Sequence, residues 1–363
     1  MIKLAPKDLS AGMVTAAPVY SKTGQILYPA HTVITSQCIS YLEFYGIKAV
    51  QIIPENEVTD SNIEDSSKKE EISYSQQVRR SREFHLFKVD YSQKRRLLKE
   101  SFGNVIEKKE HLDFNALLNQ VSSLYTNHLT SLSVFDMLHN MREIDDTTYA
   151  HCINVAIISR MMGRWLHFSQ EDLEILTLAG LLHDIGKCMI DPKILSKSTP
   201  LTPEELKKVK KHPSLGAKIL DGYQLDGRIR STALMHHERC NGSGYPSGLQ
   251  GEAIAEFAKI IAIADVYDAM TSNRCYRKGI CPFEVIATFE RKGFEKYDSK
   301  YLLPFLTHII ETYMGNTVLL NDGTTGKIIY INNLHLSRPL IQSTKNEYLD
   351  LSKHPELYIQ AIV

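Results

Sequence analysis

The feature that most limits the possible folds of this chain is a long region, from about residue 84 to residue 313, with apolar residues at helical spacing. Within residues 112–139, for example, Leu117, Val121 and Leu124 follow one another at intervals of three or four. That spacing places them on one face of a helix. Strand patterns are nearly absent from the region. The sequence therefore predicts an all-α domain, built as a helical bundle.

Shorter segments with strand and turn patterns flank this region. Residues 1–58 combine strand and turn signals with one helix, which predicts a small α+β module with a regulatory role. Residues 59–83 are polar and mixed in charge, as is typical of a linker. In residues 314–363, VLLNDGTTGKIIYI places an Asn-Asp-Gly turn between apolar runs and predicts a β-hairpin in a small β-rich module. We expect a multidomain, mainly α protein, with the helical domain at 84–313.

Overall composition excludes some classes of function. Lys plus Arg and Asp plus Glu both number 42, so no net charge attracts the chain to DNA or RNA. No apolar run approaches the roughly 18 residues of a membrane span, and the N-terminus lacks the apolar core of a signal peptide. The six cysteines include no CxxC pair. We expect a cytoplasmic protein with reduced thiols.

Histidines and aspartates lie inside otherwise apolar helical segments, on five segments separated by 24 to 32 residues. These candidate ligands are His151, His183, Asp184, His212, His236, His237 and Asp265. Asp265 is the most informative, because its neighbours from Ile260 to Val266 are apolar and an unpaired buried carboxylate is very costly. Each histidine taken singly fits an ordinary core residue. Taken together, they indicate a metal site inside the bundle.

The donor types narrow the choice of metal. Five imidazoles with two carboxylates and no thiolate suit Fe, Mn, Co, Ni or Zn better than Ca or Mg. Seven ligands are too many for one ion, and Asp184 could bridge two ions with its two oxygens. Two ions about 3.5–4 Å apart could bind a shared hydroxide and clamp a phosphodiester. The sequence therefore predicts two divalent transition-metal ions, with iron or manganese preferred and zinc, cobalt or nickel as alternatives.

Three motifs carry a resemblance to a known family. HDIGK begins at His183, HHERCNGSGYP begins at His236, and ADVYDAMTSNRCYR begins at Ala264. In this order, over about residues 125–312, they resemble the HD-GYP domain, a branch of the HD superfamily of metal-dependent phosphohydrolases. The resemblance implies a phosphoric diester hydrolase that acts on the bacterial second messenger cyclic di-GMP.

The resemblance also implies how the ligands are shared between the ions. One ion would take His151, His183, Asp184 and Asp265. The other would share Asp184 as a bridge and add three histidines, which are His212, His236 and His237. The chain departs from the usual pattern at Asn241, where the family has Asp, and at Cys275, where it has Pro. Neither departure removes a ligand.

Lys187 is a candidate catalytic and substrate-binding residue. A helix predicted over 171–186 would place it on or near the face of His183 and Asp184, which precede it by four and three residues. It could hold the substrate phosphate or donate a proton to the leaving 3′-oxygen. The alternative is an ordinary lysine that is favoured by the dipole at a helix C-terminus.

Three further residues are candidate substrate contacts. Tyr245, between a glycine and a proline, could present its ring to guanine or shape the pocket wall, or it could belong to a purely structural turn. Arg274 and Arg277 resemble the phosphate-binding basic residues of the family, and surface salt bridges are the alternative.

Three functions stay open at this stage. The first is a phosphodiesterase that converts cyclic di-GMP to linear pGpG, or further to GMP. The second is a sensor or adaptor that binds cyclic di-GMP without turnover, and the third is an HD hydrolase of another cyclic dinucleotide. The intact ligand set and Lys187 favour the enzyme. A homodimer, and a protein partner bound through the GYP loop or the N-terminal module, are further hypotheses.

The expected number of ions rests on one position. Some HD-GYP members hold three ions and place a Glu four residues before the first histidine. In this chain that position is Thr147, a neutral hydroxyl that binds such ions weakly. We therefore predict two ions, with pGpG as the main product.

Overall fold

The structure is a computed structural model, and two compact units make up the chain. The residues that it describes are 2–10, 12–20, 26–28, 30, 32–34, 38–39, 42, 47–53, 78–106, 113–126, 131–141, 148–272 and 279–363. One unit comprises Met1–Arg80, His128–Val134 and Ile310–Val363, and the other comprises Ser81–Asn127 and Phe135–Ile309. The boundaries predicted at residues 58, 83 and 313 stay a prediction.

Short antiparallel strands form the N-terminal part. Strand β1 (Ile2–Leu4) pairs with β4 (Val50–Ile52), and β2 (Val19–Tyr20) pairs with β3 (Ile26–Tyr28). Their inward residues share a small apolar core that includes Ile34, which is fully buried. The predicted strands are therefore present, and β1 is an addition that the sequence pattern did not indicate. The helix predicted here lies mostly outside the described residues.

A five-stranded antiparallel sheet forms the C-terminal part. In spatial order its strands are β8 (Tyr348–Asp350), β7 (Leu340–Ser343), β6 (Thr325–Tyr330), β5 (Thr317–Leu320) and β9 (Ile359–Ile362). The hairpin between β5 and β6 confirms the prediction from the Asn-Asp-Gly turn. Gly323 adopts a φ of 87°, a left-handed conformation that glycine tolerates without strain.

Helices form most of the described residues between 82 and 311, as predicted. In chain order they are α1 (Arg82–Ile106), α2 (Phe114–Thr126), α3 (Ser131–Met141), α4 (Thr148–Trp165), α5 (Gln170–Leu182), α6 (Pro192–Leu195), α7 (Pro203–Val209), α8 (His212–Leu220), α9 (Gly227–Met235), α10 (Glu256–Thr271), α11 (Pro282–Lys296) and α12 (Ser299–Glu311). Among the described residues, no helix combines the length and the apolar character that crossing a bilayer requires.

Helices α4 and α10 form the centre of the bundle. Every residue of α4 from Ala150 to Gly163 is buried, so this helix has no solvent-facing side over most of its length. Helix α5 packs closely on α4, because a Cβ at Gly180 would stand only 2.8 Å from the Cα of Ala156. This close contact brings the C-terminal end of α5 to the N-terminal half of α4, where His151 lies.

The end of α5 differs from the predicted helix over 171–186. The α-helix stops at Leu182, and a 3-10 turn spans Ile185–Met189. The turn packs on the first residues of α8 with almost no space, since a Cβ on Gly186 would stand 2.0 Å from the carbonyl oxygen of His212. Only glycine fits here, and its backbone contact fixes His212 relative to Asp184.

We expect Gly186→Ala to disrupt this junction. The added methyl group must displace the backbone of α8, so the free energy of unfolding should fall by about 2 kcal/mol or more in denaturant titrations. Gly103→Ala is a matched control, because nothing lies within 4 Å of its Cβ position and alanine favours the helix α1. Equal stability of the two variants would contradict the packing argument.

Candidate metal centre

His151 lies between two aspartates of α10. Its Nε2 is 3.0 Å from Oδ1 of Asp265, and its Nδ1 is 2.7 Å from Oδ2 of Asp268. The two aspartates are three residues apart, so one face of α10 directs both at α4. Burial alone would lower the pKa of His151, but hydrogen bonds to both carboxylates outweigh it and raise the pKa to about 9.

Asp184 stands between two groups of histidines. Its Oδ1 is 3.2 Å from Nε2 of His212 and 3.7 Å from Nε2 of His236. Its Oδ2 is 3.3 Å from Nε2 of His183 and 3.8 Å from Nε2 of His151. The two oxygens of one buried carboxylate therefore face two different donor groups, which is the arrangement of a bridging ligand.

The seven candidate ligands fall into two clusters, each with donor atoms that lie within 4.8 Å of one another. One cluster is His151, His183 and Asp265, and the other is Asp184, His212, His236 and His237. His237 also approaches the first cluster, with its Nδ1 3.7 Å from Oδ2 of Asp265. The structure thus brings together the residues that the sequence grouped, although their individual roles as ligands stay a prediction.

Three histidines are oriented by the ends of helices. Nδ1 of His183 is 2.6 Å from the carbonyl oxygen of Gly180, Nδ1 of His212 is 2.7 Å from that of Val209, and Nδ1 of His236 is 2.9 Å from that of Ala233. A carbonyl only accepts, so each Nδ1 carries the hydrogen and donates it. Each Nε2 is then a lone-pair donor that is directed into the centre.

Two features show that these residues fit metal ions. The buried atoms His183 Nε2 and Asp184 Oδ1 have no hydrogen-bond partner among the described residues. The Nε2 atoms of His212 and His236 also lie 3.2 Å apart. With both hydrogens on Nδ1, two lone pairs face each other there, and a cation between the donors removes that repulsion. Buried polar atoms without partners are otherwise rare in folded proteins.

The charge states of three of these residues, Asp184, His236 and His237, suit divalent ions as well. Burial alone would raise the pKa of Asp184, but the charges of Lys187 and His183 outweigh it and hold that pKa well below its usual range. Burial lowers the pKa of His236 to about 4, and it lowers that of His237 well below its usual value. Ionised oxygens and neutral imidazoles are the forms that bind transition metals.

Lys187 reaches the centre by a route other than the predicted helical face. Because α5 ends at Leu182, the 3-10 turn carries Lys187, and its Nζ pairs with Oδ2 of Asp184. The lysine side chain is 24% exposed, whereas Asp184 is 1% exposed. Burial would lower the lysine pKa, but the Asp184 charge raises it, so Nζ is a cation at the rim of the centre.

The loop that contains GYP closes one side of the centre. The ring of Tyr245 stacks on His237 with 4.7 Å between centroids, and Nζ of Lys210 lies 5.2 Å from the centre of the Tyr245 ring. The buried carboxylate of Glu238 accepts hydrogen bonds from the backbone N–H groups of Ser247 and Leu249. These contacts hold the loop next to His237, a candidate metal ligand. Contact between Tyr245 and guanine stays a prediction.

Asn241, the departure from the family pattern, has a clear role in this loop. Its Oδ1 accepts hydrogen bonds from the backbone N–H of Ser243, at 3.1 Å, and from the Ser243 hydroxyl, at 2.7 Å. An aspartate would accept the same bonds, so the amide preserves the turn. Arg274, Cys275, Arg277 and Thr147 lie outside the described residues, and what the sequence predicts for them stays a prediction.

A buried polar chain behind His151 was not found from the sequence. Asp268 accepts from Nδ2 of Asn154 at 3.0 Å, and the Tyr91 hydroxyl donates to Oδ1 of Asn154 at 2.6 Å. Asp268 is 0% exposed. The sequence did contain one indication of this chain: Asn154 and Asp268 each follow a candidate ligand by three residues within an apolar helix, which places them on the same side of the helix as that ligand.

A helical bundle whose core brings His and Asp donors around a shared carboxylate defines a class of metal-binding proteins. Residues 114–301 match the model of the HD domain family. The chain belongs to this family, and the HD-GYP resemblance of its motifs is confirmed.

Several relatives have named activities. The chain is 33% identical over 228 residues to the "Cyclic di-GMP phosphodiesterase PA4108" of Pseudomonas aeruginosa, which covers 62% of this chain and 54% of that protein. It is 40% identical over 138 residues to the "Cyclic di-GMP phosphodiesterase response regulator RpfG" of Xanthomonas campestris, covering 37% and 36%. It is 34% identical over 143 residues to the "3'3'-cGAMP-specific phosphodiesterase 3" of Vibrio cholerae, covering 39% and 31%. The chain thus spans about half, or less, of the length of these relatives.

We expect Asp268→Asn to weaken metal binding at the His151 cluster. Loss of the carboxylate charge releases the orientation of His151, and such supporting partners typically contribute about 10- to 100-fold in metal affinity. Metal content should be measured by mass spectrometry after dialysis against graded chelator. Asp172→Asn is the control, because Asp172 pairs with Arg228 away from the centre. Identical metal retention in both variants would show that Asp268 does not support metal binding through His151.

Proposed function

We propose that this chain is a metal-dependent phosphodiesterase that hydrolyses cyclic di-GMP to linear pGpG at a binuclear centre. The observation that carries the proposal is the position of Asp184, whose two oxygens face separate groups of histidines. The names of the relatives support cyclic di-GMP as the substrate, and the donor set supports iron or manganese. Retention of all seven donors together with Lys187 favours turnover over a sensor that only binds the nucleotide.

The residues of the centre divide the work of hydrolysis. When bound, two ions would polarise the phosphodiester and acidify the attacking water. His151, His183 and Asp265 would hold one ion, while His212, His236 and His237 would hold the other, and Asp184 would serve both. The turn that carries Gly186 fixes the distance between Asp184 and His212, so the two half-sites keep one geometry.

Lys187 would serve the leaving group. Attack by water breaks the bond between phosphorus and the 3′-oxygen, and that oxygen must take up a proton. The ammonium of Lys187 is partly exposed at the rim and is already paired with the bridging carboxylate. From there it can hold a phosphate oxygen and donate a proton to the 3′-oxygen.

Mixed cyclic dinucleotides are the second candidate substrates, because three relatives are named as specific for 3'3'-cGAMP. The deciding experiment is an assay of the full chain, prepared without oxygen and loaded with iron or manganese. Cyclic di-GMP and 3'3'-cGAMP are supplied separately and in competition, and the products are separated by chromatography. A higher kcat/KM for 3'3'-cGAMP would replace the proposed substrate, and absence of turnover with both would favour the sensor.

We expect Asp184→Ala to empty both half-sites, whereas His212→Ala empties mainly one. The reason is that the two oxygens of Asp184 face both groups of donors. Metal content per chain, measured by mass spectrometry alongside turnover, tests the difference. Two retained ions with full turnover in Asp184→Ala would disprove the bridging role. Circular dichroism of each variant checks that a loss of metal is not caused by unfolding.

We expect Lys187→Met to retain the metal ions and to lower kcat about 100-fold or more, as is typical when a general acid is removed. Lys193→Met is the matched control, because Lys193 is an exposed lysine six residues further along. Unchanged kcat in the Lys187 variant, at unchanged metal content, would show that Lys187 has a structural role and is not the general acid.

A further inference from the structure

One face of α1 carries a cluster of basic residues that the proposed reaction does not use. Ser92, Arg95, Arg96 and Lys99 recur at intervals of three, one and three residues, which places them on one side of the helix. With Gln93 and Tyr149 they line a cavity of about 700 Å³. None of these lining residues belongs to either cluster of candidate metal ligands.

The described residues that line this cavity give it a positive charge. Three of its lining residues are cations, and none of the described residues that line it is acidic. Glu100 lies nearby, with its Oε1 3.8 Å from Nε of Arg96, but both side chains are more than half exposed. Such a solvent-exposed pair contributes about 0–1 kcal/mol, so it leaves Arg96 available to an anion.

The lining suits a ligand with both phosphates and a ring. A guanidinium presents a planar fork of N–H donors that matches phosphate oxygens, and the guanidinium of Arg96 beside the ammonium of Lys99 favours more than one phosphate charge. Tyr149 adds a half-buried aromatic wall, and its ring is held edge-on by Phe102 at 6.0 Å between centroids. The volume lies within the roughly 300–1,000 Å³ of pockets for small ligands.

We propose that this cavity is a second ligand site, which binds a phosphorylated nucleotide. Its phosphates contact Arg96 and Lys99, and its base lies against Tyr149. The inference goes beyond the proposed function and does not depend on it, because no candidate metal ligand takes part.

The cavity adjoins the polar chain behind His151. Tyr91 lies one helical turn before Arg95, and its hydroxyl contacts both the carbonyl oxygen of Ala150, at 3.0 Å, and Oδ1 of Asn154. Ala150 directly follows Tyr149 in α4. The nucleotide site and the anchor of the metal cluster therefore share the same turn of α1 and the same end of α4.

The test is calorimetric titration of the full chain with GDP at low salt. Arg96→Gln with Lys99→Gln removes two exposed cations from the cavity, and we expect affinity to fall at least about tenfold. Arg82→Gln with Lys88→Gln is the matched control, since both residues are exposed cations of α1 that do not line the cavity. The control should bind GDP within about twofold of the unmodified chain.

Further arms identify the ligand and the place where it binds. Binding that persists in Asp184→Asn supports a site separate from the metal centre, whereas its loss there would overturn the proposal. Equal weakening in both double variants would reveal unspecific charge attraction and would also overturn it. Pyrophosphate that binds as tightly as GDP would refute recognition of the base. Turnover of cyclic di-GMP, assayed separately, tests the proposed function without bearing on this site.

Discussion

The sharing of one buried carboxylate between two sets of imidazoles is the constraint on which the rest of this bundle depends. Asp184 is almost completely removed from water, and an ion in such a place needs cations or donors on every side. Lys187 supplies one positive charge from the rim, and the histidines place ring nitrogens around both carboxylate oxygens. The close packing of α5 on α4 and the glycine turn after α5 serve to hold this carboxylate at a fixed point.

Helix ends do much of the work of orientation. The last turn of an α-helix leaves carbonyl groups without intrahelical partners. In this bundle His183 and His236 follow directly on the ends of α5 and α9, and each returns its Nδ1–H to a carbonyl three residues earlier. His212 does the same after α7. One contact thus satisfies a free carbonyl and also selects the tautomer that leaves Nε2 available to a metal.

The sequence identified the residues that cluster at the centre but missed much of their surroundings, for physical reasons. Asp265 stood out because a carboxylate within an apolar helix has few explanations. Asp268 was overlooked because its partner, His151, lies 117 residues away, and only the packing of α4 on α10 brings them together. The sequence placed the end of α5 at residue 186, but the helix ends at Leu182. The apolar periodicity continues through Gly186, whereas the close contact of Gly186 with His212 requires a turn. The stacking of Tyr245 on His237 depends on a loop conformation that no periodic pattern encodes.

The lone pairs of His212 and His236 that face each other have a consequence for the life of the protein in a cell. Without a cation this contact is repulsive, so it lowers the stability of the metal-free fold, and ion binding both relieves it and adds its own free energy. Any ligand that binds only the folded state stabilises it in proportion to the logarithm of its concentration. A metal ion bound at this centre would therefore raise the folded fraction of the domain. Loss of that ion would raise the unfolded fraction and open more of the chain to proteolysis.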